Sequence, residues 1–180
     1  MFLRKLPKKS GPVNTGPLAE FAVRMTVTLG TGPSDVDSFR SALRAARCSI
    51  GEEADKMLEQ IVVEREMSEV DLVTPTVADL GYKHGADLKD IIAKAQQAGL
   101  RLCAQEVAPQ VCLQCKKLLR NEHLRVAMAP VVVTSGGKRP LIHSVLRIQG
   151  KVWLGADPGF ELSHYGAMCH FVFIKPRKKE

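Results

Sequence analysis

The chain has 180 residues, of which 45% are hydrophobic and 25% charged, with a formal net charge of +7. That suits one ordinary domain, able to bury a core without disulfides or a metal, and it excludes wholesale disorder. No apolar run approaches the roughly 20 residues that a membrane-spanning helix needs. The basic start, Met1 to Lys9, is followed by no apolar stretch or cleavage site of a secretory signal. The five cysteines then read as reduced thiols, and the expected location is cytoplasmic, away from membranes.

Charge is unevenly spread. Residues 1–32 carry five basic and one acidic side chain (+4), residues 33–110 nine and fourteen (−5), and residues 111–180 twelve and four (+8). Positive field at the two ends of a chain favours polyanionic partners.

Residues 1–17 read as a flexible basic leader, broken by Pro7, Gly11, Pro12, Gly16 and Pro17. From Phe21 to Leu29, apolar Phe21, Val23, Met25, Val27 and Leu29 alternate with smaller or polar residues, the period of a strand. Ser34 is the expected N-cap of a first helix, with Val36, Phe39, Leu43 and Ala46 as its buried stripe. A second short helix carries Ala54, Met57, Leu58 and Ile61 inward. Val70 to Val73 is a brief strand. Asp87 caps a further helix, in which Leu88, Ile91, Ile92 and Ala95 fall at helical spacing and Gly99 stands at the C-terminal glycine position. After Pro109 the pattern turns to strands. Leu124, Val126 and Met128 alternate, as do Ile142, Leu146 and Ile148, and the turns are Ser135 to Lys138 and Gln149 to Lys151. Val152 to Leu154 and Phe171 to Ile174 complete the sheet, and residues 175–180 form a basic tail. Short strands joined by short glycine turns imply antiparallel pairing. The expected fold is α+β, a single domain over residues 18–174 with an N-terminal strand and helices packed on a C-terminal antiparallel sheet.

The segments Val70 to Val73, Val77 to Tyr82 and Gly99 to Gln110, with Leu124 to Pro130 and Val152 to Phe173, resemble a bacterial protein family of unassigned function. The resemblance spans residues 70–173. It implies a bacterial origin and carries no activity, cofactor or catalytic residue.

Several motifs invite chemistry. Cys112 and Cys115 have the spacing of half a zinc site, but no second pair with matching spacing exists, and cysteine more often packs as a small hydrophobe. No metal or cofactor is therefore expected. Gly30-Thr31-Gly32 lies between a strand and a helix, as a phosphate-binding turn would. Asp35 stands where the third glycine belongs, so an ordinary turn is the better reading. Gly136-Gly137-Lys138 imitates the end of a P-loop, yet Arg139 replaces the magnesium-binding hydroxyl. Val77 to Leu80 with the helix from Leu88 mimics a helix-turn-helix in an acidic segment, which favours plain packing.

The remaining constellation is Glu161, His164 and His170, with His143 and Arg147 on a neighbouring strand, where alternation sets the last two on the polar face of the sheet. A carboxylate, histidines and an arginine on one face suit acid–base cleavage of a phosphodiester, or simple anion binding. The leading expectation is a non-enzymatic binding module for an acidic partner, nucleic acid first, contacted through Lys138, Arg139, Arg147, Lys151, Arg177 and Lys178. The alternatives are a small ribonuclease-like hydrolase using His143, Arg147, Glu161 and His164, and an interaction domain presenting the loop Ala156 to Glu161.

Overall fold

The computed structural model describes residues 21–134 and 136–177. The expected leader, Lys178 and the end of the basic tail lie outside the described residues.

The alternation after Phe21 settles into β1 (Met25–Leu29), which buries Met25, Val27 and Leu29. Helix α1 (Val36–Ala45) is capped one residue later than expected, by Asp35. The Asp35 carboxylate accepts from the Ser38 N–H at 2.8 Å, and the Ser38 hydroxyl accepts from the Asp35 N–H at 3.0 Å. This reciprocal box satisfies two donors that a helix start otherwise leaves open. Next come β2 (Cys48–Ile50), α2 (Glu52–Leu58), β3 (Ser68–Val73) and the short β4 (Ala86–Asp87). Asp87 precedes α3 (Leu88–Gln97) in extended conformation, but its carboxylate turns to His164 instead of capping the helix. Gly99, at φ +81°, ends that helix as its position predicts.

The second half opens with a helix that alternation does not announce, α4 (Val107–Gln114), and a 3-10 turn over Lys116–Leu118. Six strands follow: β5 (Glu122–Val126), β6 (Val131–Val133), β7 (Arg139–Ile148), β8 (Lys151–Pro158), β9 (His164–Tyr165) and β10 (His170–Lys175). Gln149 and Gly150 both take positive φ, 49° and 81°, the requirement of the tight turn that joins β7 to β8.

The fold is α+β, with a mixed sheet rather than an antiparallel one. The main sheet has eight strands in the order β1-β3-β10-β5-β7-β8-β2, with β6 also paired to β7. Most pairs are antiparallel, but β10 runs parallel to β5, and β2 parallel to β8. The N-terminal strands β1, β2 and β3 are therefore part of this sheet and not a separate layer. Strands β4 and β9 form a small second ladder.

One sheet face is dry. Leu124, Val126, Val145, Val152 and Leu154 point there and are fully or almost fully buried. Helix α4 covers them, packing on β1, β7 and β8, while α1 packs on β2 and α4 and α2 packs on β6 and β8. Each such side chain contributes about 1.5–3 kcal/mol on leaving water. Val77, Leu80, and Leu88 and Ile91 of α3 are likewise core, and residues 77–80 form turns and not a helix, so the first helix of a helix-turn-helix is missing there.

Candidate functional site

Register assigns the polar residues to faces. Residues paired across adjacent strands project to the same side of a sheet. Ser49 pairs with Trp153, Trp153 with Leu146, and Leu146 with His123. These four make one row across the open face. The next row holds Gly155, Ser144 and Arg125.

At the edge of this face, beside β2, lies an open cleft of about 1010 Å³. Arg44 and Arg47 reach it from the end of α1, Lys116 from the 3-10 turn, and Lys151 and Trp153 from the β7–β8 hairpin. Cys48, Ser49 and Ile50 of β2 form its floor. Arg47 takes a left-handed backbone, φ 56°, as the chain turns sharply from α1 into β2. Lys116 Nζ donates to the Ala46 carbonyl, placing a cation at the negative end of the α1 dipole. Glu52 and Asp55 also border the cleft, but Glu52 is paired with Lys56 and Asp55 with Arg40. Among the described residues, no carboxylate pairs with Arg44, Arg47 or Lys151.

The other end of the row carries a tighter cluster. His123 Nε2 lies 2.6 Å from Asp157 Oδ2, and Arg125 places Nη2 3.2 Å from His123 Nδ1 and Nε 3.3 Å from Asp157 Oδ1. The guanidinium also sits 5.3 Å above the Tyr165 ring. Burial pushes the Asp157 carboxyl up, but hydrogen bonds, that from His123 foremost, and the Arg125 charge outweigh it and hold the group below its ordinary value. Arg125 can only donate, so the Nδ1 it faces is an acceptor and Nε2 carries the proton that Asp157 receives.

The sequence-based candidates fare differently. His143 is not on the open face. It pairs with Ala156 on the helix-covered side, is 1% exposed, and its Nδ1 has no hydrogen-bond partner among the described residues. The strand is buried on both faces at its centre, so alternation could not separate polar from dry. Burial pushes its imidazole down to about 4, against a smaller upward pull from Gly155, leaving it neutral at neutral pH. Arg147 donates to the carbonyls of Lys116 and Leu119, at 3.2 and 2.7 Å, and so closes the 3-10 turn. His164 pairs with Asp87 at 3.0 Å on the small ladder, and Glu161 is exposed, its carbonyl accepting from the Lys89 N–H. The structure does not gather these four.

Nor does it gather the five of the six expected phosphate contacts that lie among the described residues. Arg177 is held by Asp71 and Glu69, and Arg139 by Glu53. Lys138 and Lys151 are both exposed but stand at opposite ends of β7. Of those five, Lys151 alone reaches the cleft. Cys112 is buried on α4, and Cys115 Sγ contacts the Thr26 carbonyl at 3.6 Å. Among the described residues no group of His, Cys, Asp and Glu converges as metal ligands. The Gly30 turn offers its N–H to Glu106 rather than to a phosphate. Of the loop Ala156 to Glu161, the first three residues belong to β8, and Asp157 faces His123.

Sequence reasoning missed the cleft because Arg44 and Arg47 sit in the acidic middle of the chain, where segment averages hide them. The His123 cluster had a usable signal: with Leu124 and Val126 inward, His123 and Arg125 must face out. No helix among the described residues is long and apolar enough to cross a membrane. No protein-family model matches the chain, and no curated protein or solved structure matches it either.

Proposed function

We propose that the protein binds an anionic polymer, nucleic acid as the first candidate, along the cleft beside β2. The supporting observation is the convergence of Arg44, Arg47, Lys116 and Lys151 from three separated segments around an exposed Trp153. Arg44, Arg47 and Lys151, which pair with no carboxylate among the described residues, repel one another. A bound polyanion relieves that repulsion and releases its own counterions. Trp153 supplies one apolar surface for a base or sugar, whereas the cations address the backbone, so contact is with phosphates rather than with sequence.

Trp153 is the one tryptophan of the chain, so its fluorescence reports on this cleft directly. Titration with a mixed-sequence RNA or DNA oligonucleotide should change its emission, with affinity falling steeply as salt rises. For four phosphate contacts the slope of log K against log salt is about −3 to −4. A flat response at low salt would overturn the proposal.

The Asp157–His123 pair favours a hydrolytic reading less. Both ring nitrogens of His123 are engaged, by Asp157 and by Arg125, so no lone pair stands free to take a substrate proton. The cluster suits a fixed, charged floor at the far end of the binding face.

A further inference from the structure

The sheet face that opens off the cleft carries apolar side chains where water would favour polar ones. Lys151 pairs with Ile148, and Trp153 pairs with Leu146 on one side and Ser49 on the other. By strand alternation these residues project away from the face that α4 covers. Ile148 is 54% and Trp153 39% exposed. Half-buried Leu146 joins them into a strip that crosses β8 and β7 and ends at His123 on β5. Single exposed apolar residues are ordinary, but a contiguous strip marks a surface that meets something.

Two hollows flank the strip. On one side is the cleft of Arg44, Arg47, Lys116 and Lys151, which Trp153 borders. On the other is a shallower depression of about 370 Å³, lined by Leu146, Ile148 and His123. From β8 to β5 is two strand spacings, about 10 Å. The carboxylates near the second hollow are already satisfied. Glu122 accepts from Arg24 Nη1 at 2.8 Å, and Asp157 accepts from His123. His123 is held through both ring nitrogens, by Asp157 and Arg125, so what it has left to offer a ligand is the flat of its ring.

We infer that the ligand of the cleft is a single-stranded nucleic acid, with its phosphates among the cations and its bases laid on the Trp153–Leu146–Ile148 strip. The inference rests on the polyanion reading of the cleft and narrows it. A duplex turns its bases inward, so it can answer the cations but cannot cover the strip. A single strand has free base faces, and stacking on an aromatic ring tolerates any sequence because every base has such a face. Covering Trp153, Leu146 and Ile148 also removes apolar surface from water, which a sugar–phosphate backbone alone does not achieve. Lys151 and Trp153 belong to both the cleft and the strip, and so join the two. A strand that leaves the cleft at Lys151 crosses Trp153 first and reaches His123 next, where the second hollow has room for a further base.

The test compares oligo-dT and oligo-U of about eight nucleotides with a hairpin duplex of equal phosphate number, by fluorescence anisotropy at one low salt concentration. The single strands should bind about tenfold more tightly than the duplex. Unlabelled single strands should also quench Trp153 emission more strongly than the duplex does. Trp153→Ala should remove the preference, and Trp153→Phe should keep most of it. Ile148→Ser, at an exposed position, should weaken the single strands and leave the duplex unchanged, whereas Lys151→Ala should weaken both. Equal binding of single strand and duplex, or a preference that survives Trp153→Ala, would overturn the inference and leave the polyanion reading standing. Failure of every one of these nucleic acids to bind would overturn both. A concentration-dependent dimer that Ile148→Ser dissociates would give the strip to a second copy of the chain, and would likewise overturn the inference.

Discussion

Gln110 donates to Glu106 one helical turn away on α4, Nε2 to Oε1 at 2.8 Å, and through this pair the helix grips the loop after β1. The same Glu106 oxygen accepts from the Gly30 N–H at 3.0 Å, and the other accepts from the Glu64 N–H at 2.9 Å. Gln110 also donates to the Thr31 carbonyl at 2.9 Å. Glu106 is fully buried, so these donors replace water entirely. Replacing Glu106 with Ala strands three donors, and stability should fall by on the order of 3 kcal/mol or more. Glu106→Gln keeps the shape but turns an NH2 toward a donor, so its loss should be smaller. Urea denaturation midpoints of the two variants check the order; equal or negligible losses would contradict it.

His143 gives a pH dependence of definite sign. Its folded value is depressed to about 4, against roughly 6.5 unfolded. Above the unfolded value both states are neutral and the full stability is present. As pH falls from there toward 4, the unfolded chain takes up a proton that the folded chain refuses, and stability is lost. The loss saturates at on the order of 3 kcal/mol. Chemical denaturation between pH 7.5 and 4.5 should therefore show a slope that His143→Gln flattens. An equal slope in the variant would refute the buried neutral state.

Asp157 also favours neutral over acidic pH, but in a lower window. Its folded value lies below the ordinary carboxylate value of roughly 4, so its contribution is complete above that and drains away as pH falls through the folded value. At pH 7, Asp157→Asn should cost about 1.5–3 kcal/mol, because a charged acceptor of the His123 N–H is lost. The variant should also lose less stability than the parent below pH 4. Thermal melts across that range would show whether it does.

The cleft makes a residue-specific prediction about binding. Lys151→Ala should weaken oligonucleotide binding and reduce the salt slope by about 0.9, the share of a single phosphate contact. Lys138→Ala, at the far end of β7, should change neither. Both side chains are exposed, so folding should survive both substitutions. Equal effects from the two would point to nonspecific attraction instead of a site.

Much of the fold was legible where one face of an element is wet. The alternation of Met25, Val27 and Leu29 announced β1, and Leu88, Ile91 and Ala95 announced α3. Helix α4 was not legible, because Val107 to Cys112 are all buried and a helix covered on every side shows no stripe. Pro109 sits in its first turn, where a missing N–H costs nothing, yet in sequence it reads as a break. Strand direction was hidden too. Short turns do fix β7 with β8, but β10 reaches β5 only after the whole intervening chain, and β2 reaches β8 likewise. The candidate site was hidden for a related reason. Arg147 and Arg177 looked available by charge alone, and only tertiary contact shows their partners, the Lys116 and Leu119 carbonyls and Asp71.

Strand β10 is the latest in the chain, yet it lies inside the sheet, between β3 and β5. While the chain emerges from a ribosome, those two neighbours have nothing to bridge them until residues 170–175 arrive. Early segments can coil into helices and hairpins, but the barrier to the finished sheet must await its keystone. Cotranslational intermediates would thus expose two unmatched ladders, natural targets for a holdase chaperone, and trimming a few residues from this strand would divide the molecule through its middle.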